Sequence, residues 1–365
     1  MSGVAELAQA LVRAESINPG VDPAGSGERE AVRVAAEWCE LAGLEVSVVE
    51  AAPGRPNLIV AARGSGGGRT LLLNGHLDTV GVAGMADPFS GLVEGDRLYG
   101  RGAYDMKGAV AACLVACGRA HELGLQGDVV VTAVADEEVA SVGTVAVAAS
   151  AQADAGIVAE PTEEKLGVAH RGFASFRIRV AGRAAHGSRP DLGIDAIART
   201  GPILTRIAAL DLELRDGDAH PLLGTGSDHA SLISGGQEYS SYPASCELEA
   251  ERRTVPGETD EDVAHEVADL VGDVDASWEL TATRGPFAID AAERIVELVA
   301  RHAGEPERIG LPFWTDAALL QGAGIPTVLF GPCGEGAHAE VEWVSLESLE
   351  RCVDTYVAVA AELCA

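Results

Sequence analysis

The 365-residue sequence predicts an α/β protein: a mostly parallel sheet sandwiched by helices, interrupted by a smaller α+β domain. Three observations carry that prediction. TLLLNG (70–75), DVVVTAVA (128–135), AGIVAE (155–160) and IPTVLFG (325–331) are continuous apolar runs, which suit strands covered on both faces. Helical patterns fall between them. In the middle of the chain the pattern changes: FRIRV (176–180), ELEAER (247–252) and ELTAT (279–283) alternate apolar and polar residues, as in an antiparallel sheet wet on one face.

The elements follow in order. Val4, Leu7, Leu11 and Val12 share one face of an N-terminal helix; early acids, and no basic segment ahead of an apolar stretch, argue against a signal peptide. A second helical pattern covers about 28–42. NLIVAA and TLLLNGH then read as two strands joined by the flexible stretch RGSGGGRT (63–70), which meets neither phosphate-binding glycine motif. Helices are expected at about 107–123 and 141–151, at about 193–210 and 259–271 within the middle segment, and at about 290–303 and 345–363. The parse is one domain from 1–171 plus 284–365 with another, 172–283, inserted. No internal repeat stands out.

Fifty-six acidic residues against 26 basic ones give a formal charge of −30, and Lys107 and Lys165 are the only lysines. Such a surface repels phosphate backbones and anionic lipid, which argues against nucleic-acid and membrane partners. No apolar run reaches the roughly 18–20 residues of a membrane span. Seven cysteines, an odd number without a CxxC pair, suit free thiols in a reducing, cytoplasmic compartment.

The chemistry gathers where the buried runs end. His76 and Asp78 follow TLLLNG, Asp105 lies in GRGAYDMKG before a helix, and Glu137 and Glu138 follow DVVVTAVAD. Glu160 closes AGIVAE, and His338 follows IPTVLFGPCGEGA. In open α/β sheets ligands bind at the carboxyl ends of strands, and two histidines with several carboxylates there suit zinc or a similar divalent ion.

GHLDTV, GRGAYDMKG, ADEEVASVGT, VAEP and GAHAEVEWV, in that order and spacing, resemble the signature segments of the co-catalytic dizinc amidohydrolases and exopeptidases. That family holds acetylornithine deacetylase, succinyl-diaminopimelate desuccinylase, aminoacylase and the glutamate carboxypeptidases. The resemblance implies that Asp105 bridges two divalent ions, zinc first and cobalt as an alternative. His76 and Glu160 would complete one site, Glu138 and His338 the other. It makes Asp78 the acid that orients the His76 imidazole and Glu137 the general base acting on a metal-bridging water. It also implies a cis peptide at Asp105–Met106.

The inserted segment supplies the rest of the resemblance, as a lid and dimerisation domain. RAAHGSRPDLGIDAI (183–197) resembles the lid segment whose histidine, here His186, stabilises the oxyanion in the partner subunit's site. LEAERRTVPGE (248–258) resembles the lid strand whose arginine clamps the substrate carboxylate; counting from Pro256, that residue is Arg253. Related lids commonly carry Asn near the substrate where GGQEYSSYP has Ser240, whose hydroxyl reaches less far. The resemblance implies a homodimeric hydrolase of N-acyl amino acids, acetylornithine deacetylase-like. A dipeptidase, carboxypeptidase or desuccinylase of the same mechanism is the alternative, and a non-catalytic protein binding an amino-acid derivative is the more distant one.

Overall fold

The computed structural model describes residues 3–365. In chain order its principal strands are β1 (Glu45–Ala52), β2 (Arg55–Ala62), β3 (Leu71–His76), β4 (Val129–Val134), β5 (Ala155–Val158), β6 (Leu166–His170), β7 (Gly172–Ala181), β8 (Ser227–Gly235), β9 (Ser245–Thr254), β10 (Ala276–Arg284) and β11 (Thr327–Leu329). The chain divides into two compact units. One comprises residues through Val168, Ile289–Ile309 and Thr315–Ala365, and the other Ala169–Ala288 with Gly310–Trp314.

The first unit is built on the order β1-β2-β4-β3-β5-β11-β6. Its centre, β4-β3-β5-β11, is parallel, and the pairings at both margins are antiparallel. The parallel strands are the apolar runs: Leu71, Leu72 and Leu73, then Val129 and Val131, Ile157 and Val158, and Val328 and Leu329 are buried. Helix Gly108–Leu123 is apolar all round and buried until its last turn, and it packs against helices Val4–Arg13 and Leu346–Leu363. Each fully buried Leu or Val contributes roughly 1.5–3 kcal/mol, so this layer anchors the strand ends above it. The RGSGGGRT stretch does connect β2 and β3, and its Gly64 and Gly68 lie so close to the 126–127 backbone that a Cβ at either would collide. All seven cysteines are free thiols. Among the described residues no helix is long and apolar enough to cross a membrane.

The second unit is an antiparallel sheet, β8-β9-β7-β10, with two helices on one face. Strand β7 alternates as its sequence predicts. Phe176, Ile178 and Val180 point into a core with Leu248, Ile203, Ile207, Val263 and Val267, while Arg177 and Arg179 face out to pair with Glu247, Glu249 and Glu279. Asp195 caps helix Ala196–Asp216 by accepting from Ala198 N, and Thr259 with Asp262 forms a capping box on helix Asp260–Val271. Val168 and Ile289, which flank the insertion on the first unit's side, are joined by a hydrogen bond from Ile289 N to Val168 O at 3.0 Å.

Candidate metal centre

Parallel strands end on one edge of the sheet, and the chain turns there. β3 delivers His76 as its last residue; β4 runs into the tight turn 136–141; β5 is followed by Glu160; the segment before helix Gly108–Leu123 carries Asp105. The turn after β4 is held in an unusual shape. Asp136 and Ser141 both take positive φ (72° and 53°), and Asp136 O accepts from the amides of Ala140 and Ser141. His338 also has positive φ, 61°. Non-glycine residues in that region persist where the surroundings enforce them, often at functional sites. The Asp105–Met106 peptide is cis.

The structure brings five of the predicted residues into two overlapping groups. The ligand atoms of His76, Asp105 and Glu160 lie within 4.8 Å of one another, and so do those of Asp105, Glu138 and His338. Asp105 belongs to both. His76 Nε2 lies 3.1 Å from Asp105 Oδ1; His338 Nε2 lies 3.2 Å from Glu138 Oε1 and 3.5 Å from Asp105 Oδ2.

The tautomer of His76 follows from its other nitrogen. Nδ1 is 2.9 Å from the backbone oxygen of Asp78, which can only accept, so the proton sits on Nδ1. In the neutral ring Nε2 is therefore an acceptor, yet it faces a second acceptor, Asp105 Oδ1. Such a pair needs a shared proton or a cation between its members. The wider balance points the same way. Burial first, then neighbouring carboxylates, push Glu160 up to about 8 and Glu137 well above its ordinary value. Hydrogen bonds with His338 and His76 hold Asp105 below its ordinary value although burial opposes them. Mixed imidazole and carboxylate donors, three to a group with one shared, suit two borderline divalent ions.

Asp78 departs from the expected role. It is its carbonyl, not its carboxylate, that orients the His76 ring; Oδ1 stands 3.7 Å from Nδ1. The carboxylate instead receives the amide protons of Glu137 (3.1 Å) and Glu138 (3.2 Å), so it pins the turn that carries both. Sequence reasoning missed what holds Asp78. Asn18 donates to Asp78 Oδ2 (2.7 Å) and Asp136 Oδ1 (3.0 Å), and Arg55 donates to Asp136 (2.8 Å) and pairs with buried Glu28. These partners are 27 to 118 residues apart, and no local motif marks them. Asp316 was missed as well. It is buried, bonded by Thr144 Oγ1 (2.6 Å), and lifted by burial to about 6.

The remaining predicted residues belong to the second unit. His186 is exposed; its Nδ1 accepts from Ser188 N (3.2 Å), which leaves the ring proton on Nε2 as an outward donor. Ser240 is exposed, and its carbonyl accepts from Gly187 N at 2.6 Å, so it props the His186 loop through its backbone. The two adjacent arginines separate cleanly. Arg252 is buried and consumed by Glu258 and Glu266. Arg253 is half-buried over the Phe173 ring, bonded to Glu251, and lines a cavity of about 210 Å³ with Arg171, Leu222, Leu223, Gly310 and Pro312.

Several known proteins are similar to this chain in sequence or in fold. The profile of Peptidase family M20/M25/M40 matches residues 72–362. An acetylornithine deacetylase of Myxococcus xanthus is 32% identical over 326 residues, 84% of each chain. One from Aliivibrio salmonicida (strain LFI1238) is 30% identical over 364 residues, 96% of this chain and 95% of that protein. Two solved structures share the fold. The M20 family metallo-carboxypeptidase of Sulfolobus solfataricus has a TM-score of 0.77 at 17% identity, covering 100% of this chain and 99% of its own. A dinuclear metal-binding M20 peptidase of Bacillus subtilis has a TM-score of 0.76 at 17% identity, covering 99% and 97%.

Proposed function

The chain belongs to peptidase family M20/M25/M40 and is a metal-dependent hydrolase of C–N amide bonds, and on that premise we propose that it deacylates N-acyl amino acids as an acetylornithine deacetylase does. One observation carries the reading: a single carboxylate, Asp105, is shared by two three-donor groups, with His76 Nε2 3.1 Å from its Oδ1.

His76, Asp105 and Glu160 would hold one divalent ion and Asp105, Glu138 and His338 the other, zinc first and cobalt as the alternative. When bound, such a pair supplies an acidified water and a polarised scissile carbonyl. The protein supplies the rest. Glu137, its amide fixed by Asp78, would take the proton of the attacking water and deliver it to the departing amine nitrogen. His186 would donate its Nε2 proton to the oxygen that becomes negative as the carbonyl carbon turns tetrahedral. Arg253 would receive the amino acid's carboxylate on two N–H groups. Ser240 would act through the loop it supports.

The same reading makes the protein a cytoplasmic homodimer. Six of its seven thiols are buried and all are free, as a reducing compartment requires. Strand β8 is an unpaired edge with Leu232 and Ile233 more than half exposed, and pairing with the β8 of a second copy would cover both.

The test is release of free amine by the Zn²⁺- or Co²⁺-loaded protein from N-acetylornithine, other N-acetyl amino acids, N-succinyl amino acids and dipeptides. N-acetyl amino acids should give the highest kcat/KM. A tenfold or greater preference for dipeptides would overturn the deacylase assignment, and no turnover of any member with two ions bound would overturn catalysis itself.

A further inference from the structure

The general base, the ligands and the lid residues leave one buried charged pair in the first unit without a role. Arg101 and Glu342 are 2% and 1% exposed, and Arg101 Nη1 donates to Glu342 Oε2 at 2.6 Å. A pair this dry is a poor source of net stability, because desolvating both ions costs about what their attraction returns. Its hydrogen bonds suggest what it does instead.

Glu342 accepts backbone N–H groups from Gly102 (3.1 Å), Tyr104 (2.9 Å) and Asp105 (3.0 Å), in addition to the guanidinium. Every donor comes from the short segment that presents Asp105. Arg101 uses its other nitrogens on two further loops: Nε donates to Gly81 O (3.0 Å) and Nη2 to Ala339 O (3.0 Å). Gly81 lies three residues after Asp78, and Ala339 is next to His338. Glu342 itself sits four residues after His338. The Asp105 segment, the His338 loop and the loop that follows His76 thus meet on one ion pair, and Glu342 takes all four of its hydrogen bonds from the first of them.

We propose that Arg101 and Glu342 are positioning residues that fix the Asp105 and His338 segments at ion-binding spacing before any ion is bound. The inference rests on reading Asp105 and His338 as metal ligands. A carboxylate with two acceptor oxygens is needed, since four N–H donors converge on it. An amide at the same place offers one acceptor oxygen and turns an NH2 toward the remaining donors. The group of Asp105, Glu138 and His338 depends most on the pair, because two of its three ligands are carried by the loops it joins.

The experiment titrates metal-free wild type, Glu342→Gln and Arg101→Lys with Co²⁺, followed by calorimetry and by the visible absorption of the bound ion. Wild type should bind two ions. In both variants the weaker of the two should bind about 10- to 100-fold less tightly, the range typical when a partner of a metal ligand is removed, and its absorption band should shift. A merely structural pair would lower the melting temperature and leave both affinities and the spectrum alone. Both affinities within twofold of wild type in either folded variant overturns the inference. Should neither variant fold, hydrogen exchange of metal-free wild type decides: the amides of Gly102, Tyr104 and Asp105 should be protected, and free exchange there overturns it. A wild type that binds no Co²⁺ overturns the two-ion reading instead, so the two failures are distinct.

Discussion

Asp228 makes the second unit sensitive to pH in a direction that can be worked out. It is 3% exposed, and neither oxygen has a well-formed hydrogen bond; the His229 backbone N–H offers only a weak one. Arg252 lies directly across from it on β9 but is already committed to Glu258 and Glu266, and Glu266 and Asp211 add negative charge from the two covering helices. Burial is the largest influence, and the carboxyl rises from 3.8 to about 7. In the unfolded chain the group ionises near its ordinary value. Between roughly pH 4 and 7 the native state therefore holds a proton the unfolded state has lost, and stability falls as pH rises, by at most about 1.4 kcal/mol per pH unit. Three units set a ceiling of about 4 kcal/mol, fully felt above about pH 8 and absent below about pH 4. Asp228→Asn keeps the shape and removes the titration. Denaturant unfolding of both proteins from pH 4.5 to 8.5 should give curves that nearly meet at the acid end. By pH 8.5 the variant should be ahead by about 2–4 kcal/mol. Subtracting one curve from the other removes what the two proteins have in common. Parallel curves across the whole range would refute the argument.

Three further outcomes concern the proposed chemistry. Glu137→Gln should lower kcat by about 10²–10⁴ while both ions remain bound, as measured by metal analysis beside the assay; near-normal kcat in the loaded variant removes Glu137 from the base role. Arg253→Ala should raise KM by roughly 10- to 100-fold for want of a charge-assisted hydrogen bond, whereas Arg252→Met should cost about 3–5 kcal/mol of stability and leave KM in place; the opposite pattern would exchange their roles. Mixing Glu137→Gln with His186→Ala under subunit exchange should restore activity toward about a quarter of wild type, because half the dimers then carry one intact site of two; no recovery despite proven exchange would mean that His186 acts within its own chain or not at all.

How far the sequence could be read depended on whether the information was local. The parallel centre of the first sheet shows as apolar runs because β3, β4, β5 and β11 are buried on both faces, and β7 and β9 show as alternation because one face is wet. The marginal strand β1 and the edge strand β8 went unassigned in the sequence. Nearly all of β8 is exposed, so no apolar period marks it, and the partner β1 pairs with is a matter of tertiary hydrogen bonding. The ligand letters stood out because four of them follow strand ends. The residues that fix those ligands did not, since Asn18 meets Asp78 and Asp136, and Arg55 meets Asp136, only in the folded state. Nor can a sequence distinguish the carbonyl of Asp78 from its carboxylate as the group that holds His76.

The hydrogen bond between Val168 and Ile289 has a consequence for the entropy of the chain. A flexible excursion of on the order of 120 residues would cost roughly 4 kcal/mol merely to bring its ends together. Here the excursion Ala169–Ala288 forms its own sheet and core, so its ends are already brought close and the first unit meets little of that cost. Residues remote in the chain but adjacent in space can then be rejoined directly. An exchange of the unit for another with closely spaced ends must also replace Gly310–Trp314, which belongs to it, while the sheet carrying His76, Glu138 and Glu160 keeps its register.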